Sequence, residues 1–440
     1  MQYTLFNNVT QNNLNIDPGD LFEAYYQCRK NKRNTHNALA FEVDYEHKLL
    51  HLADEINNGT YQPGRSIAFI VNKPVKREIF AADFRDRVVH HWLISKLNPV
   101  FERIFITDSY ACRTGKGTHF GIQQVYDFIK ACSDNYTTDT YILKLDIAGF
   151  FMHINRRILF SRLKQFIIKN YQEEDKPLVL EICEKLVFNN PAENCIIHPV
   201  GYLACKKLND KKQKLSNGVK GKRKDWDGLP NNKSLFHSPA GCGLPIGNLT
   251  SQVFANFYLN PFDHFIKTTL NIRYYGRYVD DFVIVHPNKE FLKSLIPKIR
   301  DYLRDELHLQ LHPNKIYLQH FSKGVKFLGV IIKPHHIYIS HRTKGNFYQA
   351  IQKQNKIARD HKPTKEEQAA FLSSMNSYLG ILKHYKTYNL RKRMIRKHLS
   401  GWWENIFYAK GYSRFIARRR IRKKSKPRRR KKMQMDFAIR

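Results

Sequence analysis

The sequence predicts an α+β protein in which short antiparallel strands alternate with helices and are followed by a strongly basic C-terminal tail. At about 100–200 residues per domain, the 440-residue chain has room for several domains or subdomains and a sizeable core. Apolar residues make up 42% and aromatic residues 13%, which is typical of a folded globular protein. Apolar runs of strand length recur between segments in which apolar residues follow helical spacing. The presence of both patterns predicts a mixed helix-and-strand class.

The predicted elements can be placed in order along the chain. Before the insertion they are a polar, helix-leaning segment at 1–60, a strand at 66–71 with a return strand at 78–80, a helix at 86–101 and a strand at 141–145. The loop-like insertion follows at about 190–240. After it come a helix at 254–265, strands at 272–278 and 282–285, a helix at 293–307, strands at 309–311 and 325–332, and helices after 340. Apolar residues on one helical face support the last assignment: Phe371, Met375, Tyr378, Leu379 and Leu382.

The charge of the chain predicts a polyanionic partner. Lys and Arg number 75 against 38 Asp and Glu, a formal net charge of +37, and residues 418–432 contain twelve Lys/Arg and no acid. A basic excess spread over a folded body and a tail favours nucleic acid as that partner. Composition alone leaves open a basic ribosome-associated protein without chemistry.

Membrane insertion and secretion are not expected. No apolar stretch approaches about 18 residues, and the polar start lacks the pattern of a signal peptide. The seven cysteines are scattered and form no CxxC pair, so they are interpreted as reduced thiols of a cytoplasmic protein.

Three carboxylates form the candidate catalytic group. Asp146 ends the predicted strand 141–145, and Asp280-Asp281 lie in a tight turn between two apolar strands. Carboxylates on adjacent strand ends can hold two divalent cations for in-line phosphoryl transfer, and Mg²⁺ suits such hard oxygen ligands. The alternative is ordinary turn chemistry, in which Asp bonds its own backbone. The apolar flanks favour the metal interpretation, because adjacent buried acids are costly unless a cation neutralises them.

The segment Tyr278-Val279-Asp280-Asp281 resembles the YxDD hairpin of the reverse transcriptase family. Other segments resemble further motifs of that family in the right order, over about residues 62–400: Leu145–Phe151, Gly243–Gln252, Leu311–Lys315, Phe327–Gly329 and, against the template, Ser109–Gly117. The resemblance implies a right-hand polymerase fold with fingers, an antiparallel-sheet palm and a helical thumb. The implied divisions are an N-terminal helical extension at 1–60, fingers at 61–142, a palm at 143–335 with the insertion at about 190–240, a thumb at 336–411 and a basic tail at 412–440.

The resemblance also implies a role for individual residues. Asp146 and Asp280 would hold two Mg²⁺ ions, with Asp281 and the Ile147 backbone in support, and Lys315 would be a candidate general acid. Phe151 would exclude a ribose 2′-OH, although an aromatic residue at this position could equally be plain core. The remaining implied substrate-binding residues are Lys73, Arg77, Ile147, Ile246, Gly247, Gln252 and Tyr278; Lys73, Arg77 and Lys315 could instead be solvated surface charges.

One motif resembles a particular branch of the family. Ile246-Gly247 followed by Ser251-Gln252 is similar to the form found in reverse transcriptases of diversity-generating retroelements, where other prokaryotic enzymes usually carry Gln-Gly. The segments 225–230, 233–236 and 377–384 are similar to that branch as well. The resemblance implies copying of a template RNA into adenine-mutagenised cDNA. Because Ile246 offers no side-chain hydrogen bond, it could weaken discrimination by about 1 kcal/mol.

The resemblance implies template RNA, primer, cDNA and deoxynucleotides as partners, together with a small basic accessory protein that forms a pentamer. The stretch after residue 340 has few acids, so no nuclease of the RNase H type is expected. Two alternatives remain: another prokaryotic reverse transcriptase of the defence or group II intron type, and an inactive RNA-binding protein with a polymerase fold.

Overall fold

The computed structural model describes residues 15–30, 35–72, 75–197 and 224–418. The chain divides into two compact units, residues 1–336 and 337–440. Lys73 and most of the basic run at 418–432 lie outside the described residues, as does the central part of the insertion, 198–223.

Helices and mainly antiparallel sheets build the first unit, which confirms the predicted mixed class. Its helices are α1 (Pro18–Arg29), α2 (His36–Glu42), α3 (Tyr45–Asn57), α4 (Phe84–Ile104), α5 (Thr118–Cys132), α6 (Phe150–His153), α7 (Arg156–Asn170), α8 (Lys176–Phe188), α9 (Leu249–His264) and α10 (Lys289–Leu307). Its strands are β1 (Ser66–Val71), β2 (Arg77–Ala81), β3 (Tyr141–Asp146), β4 (Cys195–Ile197), β5 (Tyr274–Tyr278), β6 (Asp281–His286), β7 (Tyr317–His320), β8 (Val325–Phe327) and β9 (Val330–Lys333).

The central sheet has four strands in the order β5-β6-β3-β7, and its neighbouring strands are antiparallel. Phe282, Val283, Ile284 and Val285 of β6 are all buried, so both faces of the sheet are covered. The helices α5 and α10 both pack on β6. Because successive side chains point to opposite faces, a continuous apolar run suits this doubly covered strand.

The helix α10 shows why the chain is helical beside this sheet. Asn288 caps its N-terminus by accepting a hydrogen bond from the backbone N–H of Phe291. Its buried residues recur at helical spacing: Leu292, Leu295, Ile299, Leu303 and Leu307. His308 ends the helix in a left-handed conformation, with φ +51°. The apolar stripe joins the same core as Phe282 and Ile284.

A second sheet has the order β2-β1-β4. The predicted hairpin is present, with β1 antiparallel to β2 and Phe69 opposite Ile79. The insertion contributes β4, which pairs parallel to β1 with Ser66 opposite Cys195. The insertion is therefore tied into the same hairpin and is not loop throughout.

Two predicted strands differ from the structure. Residues 309–311 form no strand, because only one bridge joins Leu311 to Ile147. The strand predicted at 325–332 is a hairpin, β8 and β9, because Leu328 and Gly329 adopt left-handed conformations with φ +45° and +88°. A left-handed leucine is rare, so apolar patterning does not reveal the turn.

The second unit is mostly helical. Its elements are β10 (His336–Ile339), which starts at the boundary, α11 (His341–Asp360), α12 (Lys365–Leu382), α13 (Tyr388–His398), α14 (Gly401–Ile406), β11 (Phe407–Lys410) and β12 (Arg414–Ala417). Of the face predicted on α12, all but Tyr378 are buried. Phe371 stacks on Trp403 with ring centroids 4.2 Å apart. The segment predicted as tail from residue 412 begins with the strand β12, which pairs with β11.

Within the described parts of the chain, no helix is both long and apolar enough to cross a membrane.

Candidate active site

The three predicted carboxylates meet at one end of the central sheet. Asp146 is the last residue of β3 and lies directly opposite Asp281, the first residue of β6. Asp280 lies in the two-residue turn between β5 and β6, where Tyr278 pairs with Asp281. Adjacent antiparallel strands bring opposite residues to about 4.5–5.5 Å between Cα atoms. The register therefore places the three acids side by side.

The backbone around Asp146 is held from both sides. The Ile147 N–H donates to the carbonyl of Asp280 at 3.2 Å, and the His312 N–H donates to the carbonyl of Asp146 at 2.8 Å. A backbone N–H does not coordinate Mg²⁺, which takes oxygen ligands, so the predicted metal contact of Ile147 would come from its carbonyl oxygen.

The turn carrying Asp280 is conformationally unusual. Val279 has φ +59°, which a β-branched residue rarely adopts. The Arg277 guanidinium donates to the Val279 carbonyl at 2.9 Å. It also forms a bidentate pair with Asp263 at 2.6–2.7 Å, and neither side chain of this pair is exposed to solvent. The buried network therefore supports the turn from beneath.

Two lysines neutralise the carboxylates. Lys315 Nζ lies 2.8 Å from Asp146 Oδ1, and Lys144 Nζ lies 2.7 Å from Asp281 Oδ1. Lys315 was predicted in this neighbourhood, whereas Lys144 was missed. The one available signal for Lys144 was its position two residues before Asp146, which places both side chains on one face of β3.

Burial raises the pKa of two of the acids. The pKa of Asp280 is raised to about 6, first by desolvation and then by the negative charge of Asp146. The pKa of Asp281 is also raised by burial, and Lys144 partly opposes that shift. The two lysines therefore do not fully offset the cost of burying these carboxylates in their charged forms.

The donor set fits a divalent cation. Asp281 Oδ1 is a buried carboxylate oxygen that contacts the Lys144 ammonium at 2.7 Å. Within the described residues, no three His, Cys, Asp or Glu side chains are already gathered as a metal site. With Lys144 and Lys315 against the acids, the carboxylates would have to exchange these partners to bind Mg²⁺.

A second group of predicted residues lies around the β1–β2 hairpin. Arg77, the first residue of β2, is exposed. The Ile246 carbonyl accepts a hydrogen bond from the Phe80 N–H at 2.8 Å. Gly247 has φ +130°, and a Cβ there would lie 2.9 Å from the Phe80 carbonyl oxygen, so only glycine fits this close approach. Phe151 and Ile246 pack against one apolar cluster.

The remaining predicted residues are placed nearby. Gly247 and Gln252 line a cavity of about 550 Å³ between the hairpin and the start of α9. Gln252 Oε1 also accepts a contact from the Cys112 thiol at 2.9 Å. The Tyr278 hydroxyl accepts a hydrogen bond from Thr118 Oγ1 at 3.3 Å.

The segment predicted to face template contains a structural arginine. Arg113 is 5% exposed and forms a bidentate pair with Glu102 at 2.7–3.0 Å. It also donates to the backbone carbonyls of Ile106 and Ser109. The Arg113 guanidinium is therefore neutralised by Glu102 and bound to backbone carbonyls within the protein.

Comparison with known proteins defines the family. Residues 72–332, more than half of the chain, match the family described as "Reverse transcriptase (RNA-dependent DNA polymerase)". The chain belongs to the reverse transcriptase family, and the predicted enzyme class is confirmed.

The similar proteins are distant. Protein YkfC of Escherichia coli strain K12 is 21% identical over 312 residues, which cover 63% of this chain and 69% of YkfC. Nuclear intron maturase 1, mitochondrial, of Arabidopsis thaliana is 21% identical over 318 residues, covering 60% of this chain and 42% of the maturase. A solved apo telomerase from Candida tropicalis, truncated from its C-terminal domain, has a TM-score of 0.40 and 14% identity, covering 64% of this chain and 56% of that one. This chain thus spans less than two thirds of the maturase and of the telomerase.

Proposed function

We propose that this protein synthesises DNA on an RNA template by two-metal nucleotidyl transfer. The observation that carries the proposal is the register of the central sheet, with Asp146 opposite Asp281 and Asp280 in the adjoining turn. Three acids in this arrangement, inside a chain of the reverse transcriptase family, suit an in-line displacement at phosphorus.

The carboxylates would hold Mg²⁺, which supplies charge neutralisation for the attacking and leaving oxygens. Asp146 and Asp280 are the proposed ligands, with Asp281 and the Ile147 carbonyl in support. Lys315 is the candidate general acid for the leaving pyrophosphate, and it would exchange its contact with Asp146 for that group.

The hairpin residues are proposed to bind the incoming nucleotide. The exposed Arg77 guanidinium suits a bidentate contact with the triphosphate, with Lys73 assisting. Phe151 would meet the sugar at its 2′ position and reject ribonucleotides. Ile246, Gly247, Gln252 and Tyr278 are proposed to face the nascent base pair and template.

The domains are proposed as fingers at 61–142, palm at 143–335 and thumb at 336–411. The thumb would grip primer–template through its backbone, and the tail from 412 would bind template RNA. The protein would act in the cytoplasm of a prokaryotic cell.

Within the family, we favour the diversity-generating branch. The Ile246-Gly247…Ser251-Gln252 pattern supports this choice. The enzyme would then produce adenine-mutagenised cDNA together with a pentameric basic accessory protein. Without a side-chain amide at position 246, discrimination at the nascent pair would be weakened.

The test is cDNA synthesis on a primed RNA with Mg²⁺ and all four deoxynucleotides, with and without a candidate accessory protein. Asp280→Ala is the inactive control, and the product is sequenced. DNA with changes concentrated opposite adenines supports the full proposal, and Ile246→Gln should reduce those changes. Accurate DNA would support the polymerase activity and would assign the protein to another branch of the family. Product equal to that of Asp280→Ala under every condition would favour an RNA-binding protein instead.

A further inference from the structure

A buried carboxylate fastens one segment of the insertion to the β1–β2 hairpin. We call residues 224–238 the return segment. Glu78 of β2 is 1% exposed and accepts hydrogen bonds from the indole N–H of Trp226, the Ser234 hydroxyl and the Leu235 backbone N–H, at 2.5–2.6 Å. A buried carboxylate with three donors is well satisfied, so this anchor is specific in position.

The return segment also packs on the same apolar cluster as the proposed nucleotide-selecting residues. Trp226, Phe236, Phe151 and Ile246 all pack on the apolar cluster that includes Phe80. The Phe236 ring lies 5.4 Å from that of Phe80 and 6.0 Å from that of Trp226. The side chains of Phe151 and Ile246 therefore share one cluster with the segment that Glu78 anchors.

The backbones of the two selecting residues are held by hydrogen bonds that do not involve the return segment. The Phe151 carbonyl accepts from the Leu244 N–H at 2.8 Å, and the Ile246 carbonyl accepts from the Phe80 N–H at 2.8 Å. The return segment also lies against the loop before α6, where a Cβ on Gly149 would be 2.6 Å from the Asn232 carbonyl oxygen. What the return segment can still set is the side-chain packing of Phe151 and Ile246.

We propose that the return segment is a specificity-determining element, with Glu78 and Trp226 as positioning residues for Phe151 and Ile246. The inference rests on the proposed function, since it assigns the segment to the selection of nucleotides at that site. Exclusion of a 2′-OH by Phe151 depends on the position of its ring to within fractions of an ångström. Looser packing around Phe151 and Ile246 should therefore admit a 2′-OH or a mismatched base.

The primary test uses Trp226→Phe, which keeps an aromatic ring and removes the N–H, and Ser234→Ala. The readout is the ratio of kcat/KM for a deoxynucleotide to kcat/KM for the matching ribonucleotide. We expect this ratio to fall at least about tenfold while kcat for the correct deoxynucleotide changes less than about threefold. The matched control is Tyr171→Phe, which removes one hydrogen bond to Asp175 Oδ1 at 2.7 Å, away from the hairpin.

A merely structural role predicts a different result. Variants that lose efficiency with both nucleotides in proportion, as Tyr171→Phe would, overturn the inference and leave the proposed function standing. A second readout does not depend on turnover: the affinities of deoxy- and ribonucleotide for the enzyme on a dideoxy-terminated primer–template. If the wild type extends no primer, the proposed function fails. A lower ratio of deoxynucleotide affinity to ribonucleotide affinity in Trp226→Phe would still support nucleotide selection by the return segment. An unchanged affinity ratio would overturn it.

Discussion

Replacing Asp280 by asparagine should stabilise the metal-free protein at neutral pH. The folded-state pKa of Asp280 is raised to about 6, against an ordinary value of 3.8 for an aspartate. Below the unfolded-state pKa both states are protonated and no stability is lost. As the pH rises towards 6, the unfolded state releases its proton first, and the wild type loses stability. Asparagine carries no charge and escapes this loss.

The expected magnitude follows from the shift. Two pKa units correspond to about 3 kcal/mol, and partial solvent exposure of the side chain should reduce this to about 2 kcal/mol. The free energy of unfolding of Asp280→Asn should therefore gain about 2 kcal/mol relative to wild type between pH 4 and pH 8, although the variant should add no nucleotides.

The assay is urea unfolding at closely spaced pH values in the presence of a chelator. Asp54→Asn, at an exposed position of α3, is the matched control and should follow the wild-type pH profile. Parallel profiles for Asp280→Asn and wild type would refute the reasoning, because ionisation of Asp280 would then cost the fold nothing. Added Mg²⁺ should stabilise the wild type more than Asp280→Asn.

Three further outcomes are expected. Gly247→Ala should lower the free energy of unfolding by about 1–3 kcal/mol, since the added Cβ meets the Phe80 carbonyl; equal urea midpoints would contradict this. Asp263→Asn should cost about 3–5 kcal/mol in the same measurement by leaving Arg277 buried without its counterion, and a loss below 1 kcal/mol would speak against it. Lys315→Gln should slow single-nucleotide addition about 100-fold in rapid-quench experiments, and an unchanged rate would exclude it as general acid.

The sequence was most informative where local pattern and chemistry coincide. Asp146 directly after an apolar run and Asp280 in a two-residue turn could be placed at strand ends, and the structure gives them a shared register. The buried face of α12 followed from helical spacing in the same way. In these cases the signal is contained in a few neighbouring residues.

The supporting contacts were not predictable, because they join distant parts of the chain. Lys144 is one of 75 basic residues, and its pairing with Asp281 becomes visible only once β3 and β6 are in register. Arg277 and Asp263 form a bidentate pair between a strand and a helix, and no local sequence pattern predicts this pairing. Glu78 binds residues about 150 positions away. Long-range hydrogen bonds of this kind depend on the tertiary fold.

The attachment of the insertion to one hairpin has a consequence for local opening of the fold. The chain leaves through β4, which is paired to β1, and it is fastened again to β2 where Glu78 holds the return segment. The strands β1 and β2 are themselves paired along their length, from Ile67 opposite Ala81 to Val71 opposite Arg77. Since both attachments depend on the same pair of strands, separation of β1 from β2 would release β4 and the return segment together. The hairpin and the two described ends of the insertion are therefore expected to open and close as one cooperative unit.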